Sequence, residues 1–418
     1  MDMIEKDLVI LGGGAAGLSA AIEAYNLGIK DILLLEKNNY LGGILNQCIH
    51  NGFGLHEFKE ELTGPEFMSR LAQKVVELNI PYRLESNILS LTKDKIVTYS
   101  NDSEGVVQIK AKSVIVTCGS LERGAGAINL AGDRPVGIYT AGEAQLLLNS
   151  FGYLVGKKVF ILGSGDIGLI MARRMSLEGA KVVGVAEINP YSAGLNRNIV
   201  QCLNDFDIPL YLSTTVKKCI GKHRLEKIVL AKVDNCFNII EGSEFEVDID
   251  CLLLSVGLLP NVALLNNLGL NFSSSKGPLV NQDYETECDG IFVSGNGLHI
   301  HDLVDYVALE SREAARGVKK YLDNKLLNKG HKIIVKPGKG ILYAVPNYIF
   351  IDEADDQITF KFRVNKPYKD IDILFKLGDT VIRKIHKNAI IPSEMEVIKI
   401  EKNKFVDCFD ELTIEIKE

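Results

Sequence analysis

Residues Lys6–Lys37 read KDLVILGGGAAGLSAAIEAYNLGIKDILLLEK, and this order of residues decides the fold. A short apolar strand, Leu8 to Leu11, runs into Gly12-Gly13-Gly14-Ala15-Ala16-Gly17. An Ala-rich helix follows, then a second strand closed by Glu36 and Lys37. Gly12 makes the tight turn, Gly14 lets backbone approach a pyrophosphate, and Gly17 lets helix pack on strand. The helix that opens there aims its N–H groups and positive dipole end at phosphates. Glu36 stands 24 positions after Gly12, where a carboxylate can accept ribose hydroxyls. Glycines alone are a weak signal; strand, glycines, helix, strand and acid together predict a bound dinucleotide.

A second copy follows. Lys158 to Leu162 leads into Gly163-Ser164-Gly165-Asp166-Ile167-Gly168, a helix through Leu177, and a strand from Lys181 to Glu187. Glu187 follows Gly163 by the same 24 positions. Two matching units predict two nucleotides, the competing reading being a silent duplicate. An acid at Glu187 with no neighbouring arginine favours a free 2′-hydroxyl, hence NAD over NADP.

Between and beyond the two units the chain is punctuated by glycine. Gly42 and Gly43 sit in a loop that reads as backbone wrapping a ligand. Thr63-Gly64-Pro65-Glu66 gives a capping box before a helix carrying Phe67, Leu71, Val75 and Leu78. Alternating segments at Tyr82 to Leu91, Ile96 to Tyr99 and Val106 to Ile109 predict a meander, and Ser113 to Thr117 a separate buried strand ending at Cys118-Gly119. A second meander near Leu210, Lys227 to Lys232 and Glu244 to Asp248 precedes a buried strand, Cys251 to Val256, and a crossover at Gly257. Gly290 to Gly297 then opens a helix from about Asp302 to Leu322. From His331 short alternating strands predict a small all-β sandwich. The expected fold class is α/β: two Rossmann-like dinucleotide-binding domains, one split by the other, plus a C-terminal all-β domain. The boundaries read 1–120, 121–256, 257–330 and 331–418.

Composition narrows the function. A net charge of −7, with no basic run, argues against nucleic acid. No apolar stretch nears the roughly 20 residues that cross a bilayer, and the first strand leaves no room for a signal peptide. The eight cysteines are scattered and form no CxxC, which suits a reducing, cytoplasmic setting and offers no local iron–sulfur or zinc set.

Taken in order, the two fingerprints, the Gly42-Gly43 loop, the Gly257 crossover and the Gly295-Asn296 junction resemble the FAD-dependent pyridine nucleotide-disulfide oxidoreductase superfamily over roughly residues 5–325. The resemblance implies that Gly12, Gly14, Ala15, Ala16, Gly17, Glu36, Lys37, Gly42, Gly43, Cys118, Gly119, Gly257, Gly295, Asn296 and His301 serve FAD. Gly163, Gly165, Asp166, Ile167, Gly168 and Glu187 would serve NAD(H). Cys118 to Arg123, Arg134 to Gln145 and His299 to Asp305 are similar to FAD/NAD subunits of opine oxidase, hydrogen cyanide synthase and heterotetrameric sarcosine oxidase. Gly43 to His50 is similar to the accessory flavoprotein of bacterial glycerol-3-phosphate dehydrogenase systems; Gly124 departs from that family's usual proline. These likenesses imply a partner flavoprotein dehydrogenase, a small iron–sulfur protein on another chain, and an oligomer.

The redox dithiol is missing. Leu45 and His50 stand where glutathione-reductase-like relatives carry cysteines, and Thr140 to Glu143 where thioredoxin-reductase-like relatives carry CxxC. Without a dithiol no electron pair reaches a disulfide substrate by exchange. Asn296 replaces the ribityl-binding Asp of many relatives, and its amide can still hydrogen-bond.

Three candidates for catalysis remain open. Cys48 beside His50 reads either as a reactive thiol, serving a stand-alone NADH oxidase or peroxidase, or as a packing residue. His301 reads as a contact of the isoalloxazine or of a partner protein; with His299, Asp302 and Asp305 it shows no evident third ligand, and no metal is expected. Glu143 reads as a polar group near the nicotinamide or as a helix cap. The reading is hydride transfer between nicotinamide and FAD, with electrons passing to or from a partner. The non-enzymatic alternative is a structural chain that keeps FAD only to complete its fold.

Overall fold

The computed structural model describes residues 3–323, 330–405 and 409–418; Cys408 and the stretch 324–329, just before the expected boundary at 330, lie outside them. The chain divides into two compact units, Met1–Ser120 with Pro260–Glu418, and Leu121–Leu259.

In the first unit, β1 (Ile4–Leu11) is followed by α1 (Ala15–Asn26), β2 (Ile32–Leu35) and α2 (Gly64–Glu77). The short strands β3 (Tyr82–Arg83), β4 (Asn87–Leu91) and β5 (Ile96–Asn101) lead to β6 (Gly105–Val116). The unbroken apolar run of β1 suits burial on both faces: Leu8 and Ile10 enter one core, Val9 and Leu11 another. β1 pairs in parallel with β2 and β6, in a sheet ordered β3-β2-β1-β6-β5-β4. α2 starts at the expected capping box: Thr63 Oγ1 accepts the Glu66 N–H, and Glu66 Oε2 accepts the Thr63 N–H at 2.8 Å. Its stripe of Phe67, Met68, Leu71 and Val75 is buried.

The two segments expected as separate strands, Val106 to Ile109 and Ser113 to Thr117, form one strand of 12 residues. Its first part is antiparallel to β5, and its second lies parallel to β1. Ala111, buried between Lys110 and Lys112, lets the strand pass from the half-exposed meander into the buried sheet without a turn.

The second unit contains β7 (Ile138–Thr140), α3 (Ala141–Phe151), β8 (Lys158–Leu162), α4 (Asp166–Leu177), β9 (Lys181–Ala186) and β10 (Leu210–Tyr211). Next come an antiparallel trio, β11 (Thr214–Ile220), β12 (Lys227–Lys232) and β13 (Phe245–Asp248), and then β14 (Cys251–Leu254). The parallel sheet runs β7-β14-β8-β9-β10. Val159, Ile161 and Leu253 meet the helices on one face, and Phe160, Leu162 and Leu252 meet the trio on the other.

β15 (Ile291–Val293) returns to the first unit and pairs with β6, and α5 (Val304–Leu322) packs on α1. The tail folds as β16 (Lys332–Pro337), β17 (Ile341–Val345), β18 (Tyr348–Phe350), β19 (Gln357–Val364), β20 (Tyr368–Leu377), β21 (Thr380–Ile390), β22 (Glu396–Glu401) and β23 (Glu411–Lys417). Two sheets result, β18-β16-β23-β20-β21 and β17-β19-β22, around a core that includes Phe360, Phe362 and Phe375. These strands group with the first unit rather than standing apart. Tyr343 and Val345 join the core of Val9 and Leu11, and the Asn347 N–H donates to the Val280 carbonyl at 2.9 Å.

Replacing Thr63 with Ala removes one arm of the capping box and should cost about 1 kcal/mol. A urea titration would show it as a lower midpoint with an unchanged slope.

Candidate functional site

Three stretches far apart in sequence converge on the start of α1. At Gly12, φ is +112° and a Cβ would lie 2.6 Å from the Thr117 carbonyl oxygen, so only glycine makes this turn. At Gly17 a Cβ would lie 1.8 Å from the Gly12 oxygen, which fixes the close seat of helix on strand. Gly14, by contrast, has open space where its Cβ would stand, and the helix N-terminus there carries no side-chain cap. The Gly42 N–H donates to the Gly13 carbonyl at 2.8 Å, and a Cβ on Gly43 would come within 3.2 Å of Gly14 Cα. From the far end of the chain, a Cβ on Gly295 would meet Ala16 at 3.0 Å. Glu36 is buried and accepts the Gly13 N–H at 2.7 Å and the Asn38 N–H at 2.8 Å. A carboxylate has about four acceptor positions, so two remain for hydroxyl donors. This cradle, with uncapped helix N-terminus and buried acid, fits the ADP portion of a dinucleotide. Lys37 beside it is exposed.

Behind Gly295 lies a buried polar network. Glu310 on α5 accepts the Gly295 N–H through Oε1 at 2.8 Å. Its Oε2 faces His299 Nε2 at 2.8 Å, His301 Nε2 at 3.2 Å and the Lys361 ammonium at 3.0 Å. His301 Nδ1 faces the His299 carbonyl at 3.0 Å and Asn296 Oδ1 at 3.3 Å, and its N–H donates to Asn296 Oδ1 at 3.0 Å. Burial opposes charge on Glu310, but Lys361 and the two imidazoles hold its carboxyl well below the usual range. Burial also works against charge on Lys361, and Glu310 and Glu313 outweigh it, keeping the lysine protonated. His299 is pushed down to about 4, chiefly by burial, and is neutral at physiological pH.

His299, His301 and Glu310 supply a third ligand that the sequence did not reveal, since their ligand atoms lie within 4.8 Å of one another. Yet Lys361 donates to the same Glu310 oxygen that a metal would need, so the cation of this cluster is an ammonium. Arg363 on the same strand donates to the Ile300 carbonyl at 3.0 Å and to Asp302, and the Met395 N–H donates to Asp302 at 2.7 Å. Asp305 turns the other way and accepts the backbone N–H groups of Gly54, His56 and Glu57.

In the second unit Gly163 repeats the tight turn, with a Cβ only 2.0 Å from the Ser255 carbonyl oxygen. Gly165 caps α4 without a side-chain bond, and the Gly168 N–H donates to Ser255 Oγ at 3.1 Å. The acid differs from its counterpart. Glu187 accepts the Ser164 N–H and hydroxyl at 3.0 and 2.7 Å, and the Asn189 N–H and amide at 3.0 and 2.8 Å. Its acceptor positions are filled, so a ribose hydroxyl would take the place of one of these donors. Asp166 pins the segment after it, accepting the Leu195 N–H at 2.8 Å and the Asn198 amide at 2.6 Å. Ile167 is half-buried on the first turn of α4 and packs against its core.

Cys48 is half-buried against the core of α1 and α2, and burial pushes its thiol up to about 12. His50 sits with its ring 4.9 Å from that of Phe53 and Nδ1 3.0 Å from the Asn51 carbonyl. Cys118 is likewise raised to about 12 by burial, with its sulfur 3.5 Å from the Leu11 carbonyl. The Gly119 carbonyl accepts the Asn261 N–H at 2.9 Å, and the Gly257 carbonyl accepts the Arg123 N–H at 3.1 Å. Glu143 lies exposed in the first turn of α3, where its N–H donates to the cap residue Thr140. None of the seven described cysteines forms a disulfide. Glu310, Lys361, Arg363 and Tyr343 escaped the sequence reading.

Residues 6–315 match the family model described as pyridine nucleotide-disulphide oxidoreductase, and the chain belongs to that family. Its members are FAD-dependent oxidoreductases that use a pyridine nucleotide. An opine oxidase component from Agrobacterium tumefaciens (strain Ach5) is 23% identical over 70% of this chain and 61% of its own length, so this chain spans less than two thirds of that relative. Thioredoxin reductase of Mycoplasma genitalium is 24% identical over 71% of this chain and 88% of its own. Among solved structures, thioredoxin reductase of T. acidophilum shares the fold with a TM-score of 0.63, at 21% identity over 77% of this chain and 99% of its own. Among the described residues no helix is long and apolar enough to cross a membrane.

Two outcomes follow from the protonation states. At neutral pH, iodoacetamide should label the exposed Cys236 first and reach Cys48 only on unfolding, as peptide mass spectrometry would report. Between about pH 6.5 and about pH 4, the unfolded chain binds a proton at His299 that the folded chain refuses. Stability therefore rises with pH across that window, and the thermal midpoint should fall steadily as the buffer is taken from pH 6.5 toward 4.

Proposed function

We propose that this chain is an FAD-dependent NAD(H) oxidoreductase that moves hydride between nicotinamide C4 and flavin N5 and exchanges electrons with a partner protein. The observation that carries the reading is the cradle at Gly14, where three distant loops converge, one face stays open, and Glu36 keeps two acceptor positions. Bound FAD would supply the two-electron carrier. Gly12, Gly14, Ala15, Ala16 and Gly17 would hold its pyrophosphate through backbone N–H groups, and Glu36 its ribose. Asn296 and His301 would lie along the ribityl chain and ring, with His301 held by Glu310. In the second unit Gly163, Gly165 and Gly168 would take the NAD pyrophosphate, and Glu187 would repel a 2′-phosphate, favouring NADH.

Electron exit is constrained by what this chain lacks. No CxxC occurs in the sequence, so thiol–disulfide exchange of the thioredoxin reductase kind has no local dithiol. The raised Cys48 thiol also speaks against a peroxidase that cycles through a sulfenate there. A partner flavoprotein or iron–sulfur protein is the remaining route, and the likeness to one component of a multi-subunit opine oxidase supports it. The sequence likeness of Gly43 to His50 points that partner toward a glycerol-3-phosphate dehydrogenase.

Anaerobic titration of the FAD-loaded protein with NADH should bleach the flavin bands stoichiometrically, with NADPH about tenfold or more weaker in apparent affinity. Peroxide should not reoxidise it catalytically. A yellow protein that NADH leaves unbleached would mean a silent second unit and a purely structural role for the chain. Failure to take up FAD would sink the reading.

A further inference from the structure

The two dinucleotide units share their backbone hydrogen bonds and differ in two side chains. In both, the closing acid accepts the N–H of the residue after the first glycine and the N–H two positions beyond itself. These are Gly13 and Asn38 for Glu36, and Ser164 and Asn189 for Glu187. The second unit adds two donors of its own. The Ser164 hydroxyl donates to Glu187 Oε2 at 2.7 Å, and the Asn189 amide to Oε1 at 2.8 Å. In the first unit the place of Ser164 belongs to Gly13, where a Cβ would come within 2.9 Å of Leu41 and 3.1 Å of the Glu36 carboxylate.

The serine is held on every side. It is fully buried, and its hydroxyl oxygen accepts the Ala193 N–H at 2.9 Å and the Ser192 hydroxyl at 3.2 Å. With both lone pairs taken, the one proton of the Ser164 hydroxyl is committed to Glu187. Asp166 holds the same segment from the first turn of α4, accepting the Leu195 N–H and the Asn198 amide. Acid, serine and the segment 192–195 thus form one closed set, in which Glu187 is met from within the chain.

We propose that Ser164 and Asn189 set how tightly the second unit holds its dinucleotide: as internal stand-ins for ribose hydroxyls on Glu187, they make this unit an exchange site. This rests on the functional reading above, in which the second unit takes NAD(H). A ribose hydroxyl reaching Glu187 displaces a donor already there, so the hydrogen bond it makes is offset by the one it breaks. Displacing Ser164 costs further, because a buried hydroxyl is left without its acceptor. At Glu36 only backbone donors are engaged, and ribose hydroxyls add bonds without breaking any. A nucleotide that must leave after each turnover is served by an anchor of offset strength.

The test titrates the full-length, FAD-loaded, oxidised protein calorimetrically with NAD+ and NADP+, neither of which can reduce the flavin. It compares wild type with Ser164→Gly, which puts the residue type of Gly13 at the second turn, and with Asn189→Ala. The alanine variant leaves the Ser164 contacts to 192–193 in place, so it carries the test where loosening of that segment spoils the glycine variant. NAD+ should bind each variant about five- to tenfold more tightly than wild type, the worth of one net hydrogen bond. NADP+, whose 2′-phosphate cannot donate to Glu187, should gain less, so the preference for NAD+ widens. A merely structural role for the two side chains would weaken both nucleotides alike and leave the preference where it was. That result, or unchanged affinity in both variants, overturns the role of Ser164 and Asn189 while wild type still binds NAD+ and is bleached by NADH. Wild type that neither binds NAD+ nor is bleached overturns the functional reading, and this inference with it.

Discussion

Glu310 is the constraint on which the first unit turns. One of its oxygens holds the Gly295 N–H, and so sets the glycine turn that touches Ala16 at the nucleotide cradle. The other gathers two histidines and a lysine from a different layer of the fold. A carboxylate buried to this degree is costly unless each acceptor position is met, and half-satisfied it would be worse than an apolar residue. The arrangement therefore ties four pieces of chain into an all-or-none unit: the turn at 295, the loop at 299–302, α5 and β19. Removing Lys361 would leave Glu310 a buried charge without its cation.

The two fingerprints show how one sequence pattern is used differently. In both, glycines allow a turn against a neighbouring carbonyl and a close helix seat, and in both an acid stands 24 positions on. Glu36 keeps acceptor positions, whereas Glu187 commits its own to Ser164 and Asn189. Asp166 reinforces the second arrangement by pinning Leu195 and Asn198. In the proposed reading, a nucleotide entering the second unit would exchange hydrogen bonds that already exist, and one entering the first would add to them. That difference suits a cofactor that stays in one unit and a substrate that comes and goes in the other.

What the sequence disclosed follows the range of the interactions. The strand-glycine-helix units, the capping box at Thr63 and the alternation of the tail are all set by residues within a turn or two of one another, and each appears where expected. The joined strand Gly105–Val116 was missed because Lys110 and Lys112 look like a break, while Ala111 between them is buried. Glu310 left a trace, a charged residue in the helical stripe of Ala314, Ala315 and Val318, but its partners could not be read from spacing. Lys361 and Arg363 left less. In QITFKFRV the residues Ile358, Phe360, Phe362 and Val364 take the core face, and alternation assigns the lysine and arginine to solvent. The 299–302 loop covers that other face instead, a fact that exists only in three dimensions.

The covering of that face changes what the C-terminal strands are for. Read from sequence they form an appendage with a core of its own, and that core is present in Phe360, Phe362 and Phe375. But a buried ion pair is a weak source of net stability, since a hydrophobic replacement of the same shape commonly does as well or better. Tyr343 and Val345 already anchor the strands to the sheet through apolar contact. Lys361 and Arg363 are therefore not needed to attach the tail, and their aim at His299, Ile300, Asp302 and Glu310 calls for another reason. Orientation supplies it: two charges on β19 hold the 299–302 loop and the Glu310 carboxylate together. In the proposed reading, in which FAD lies against that loop, the tail backs the flavin-side site from behind Glu310.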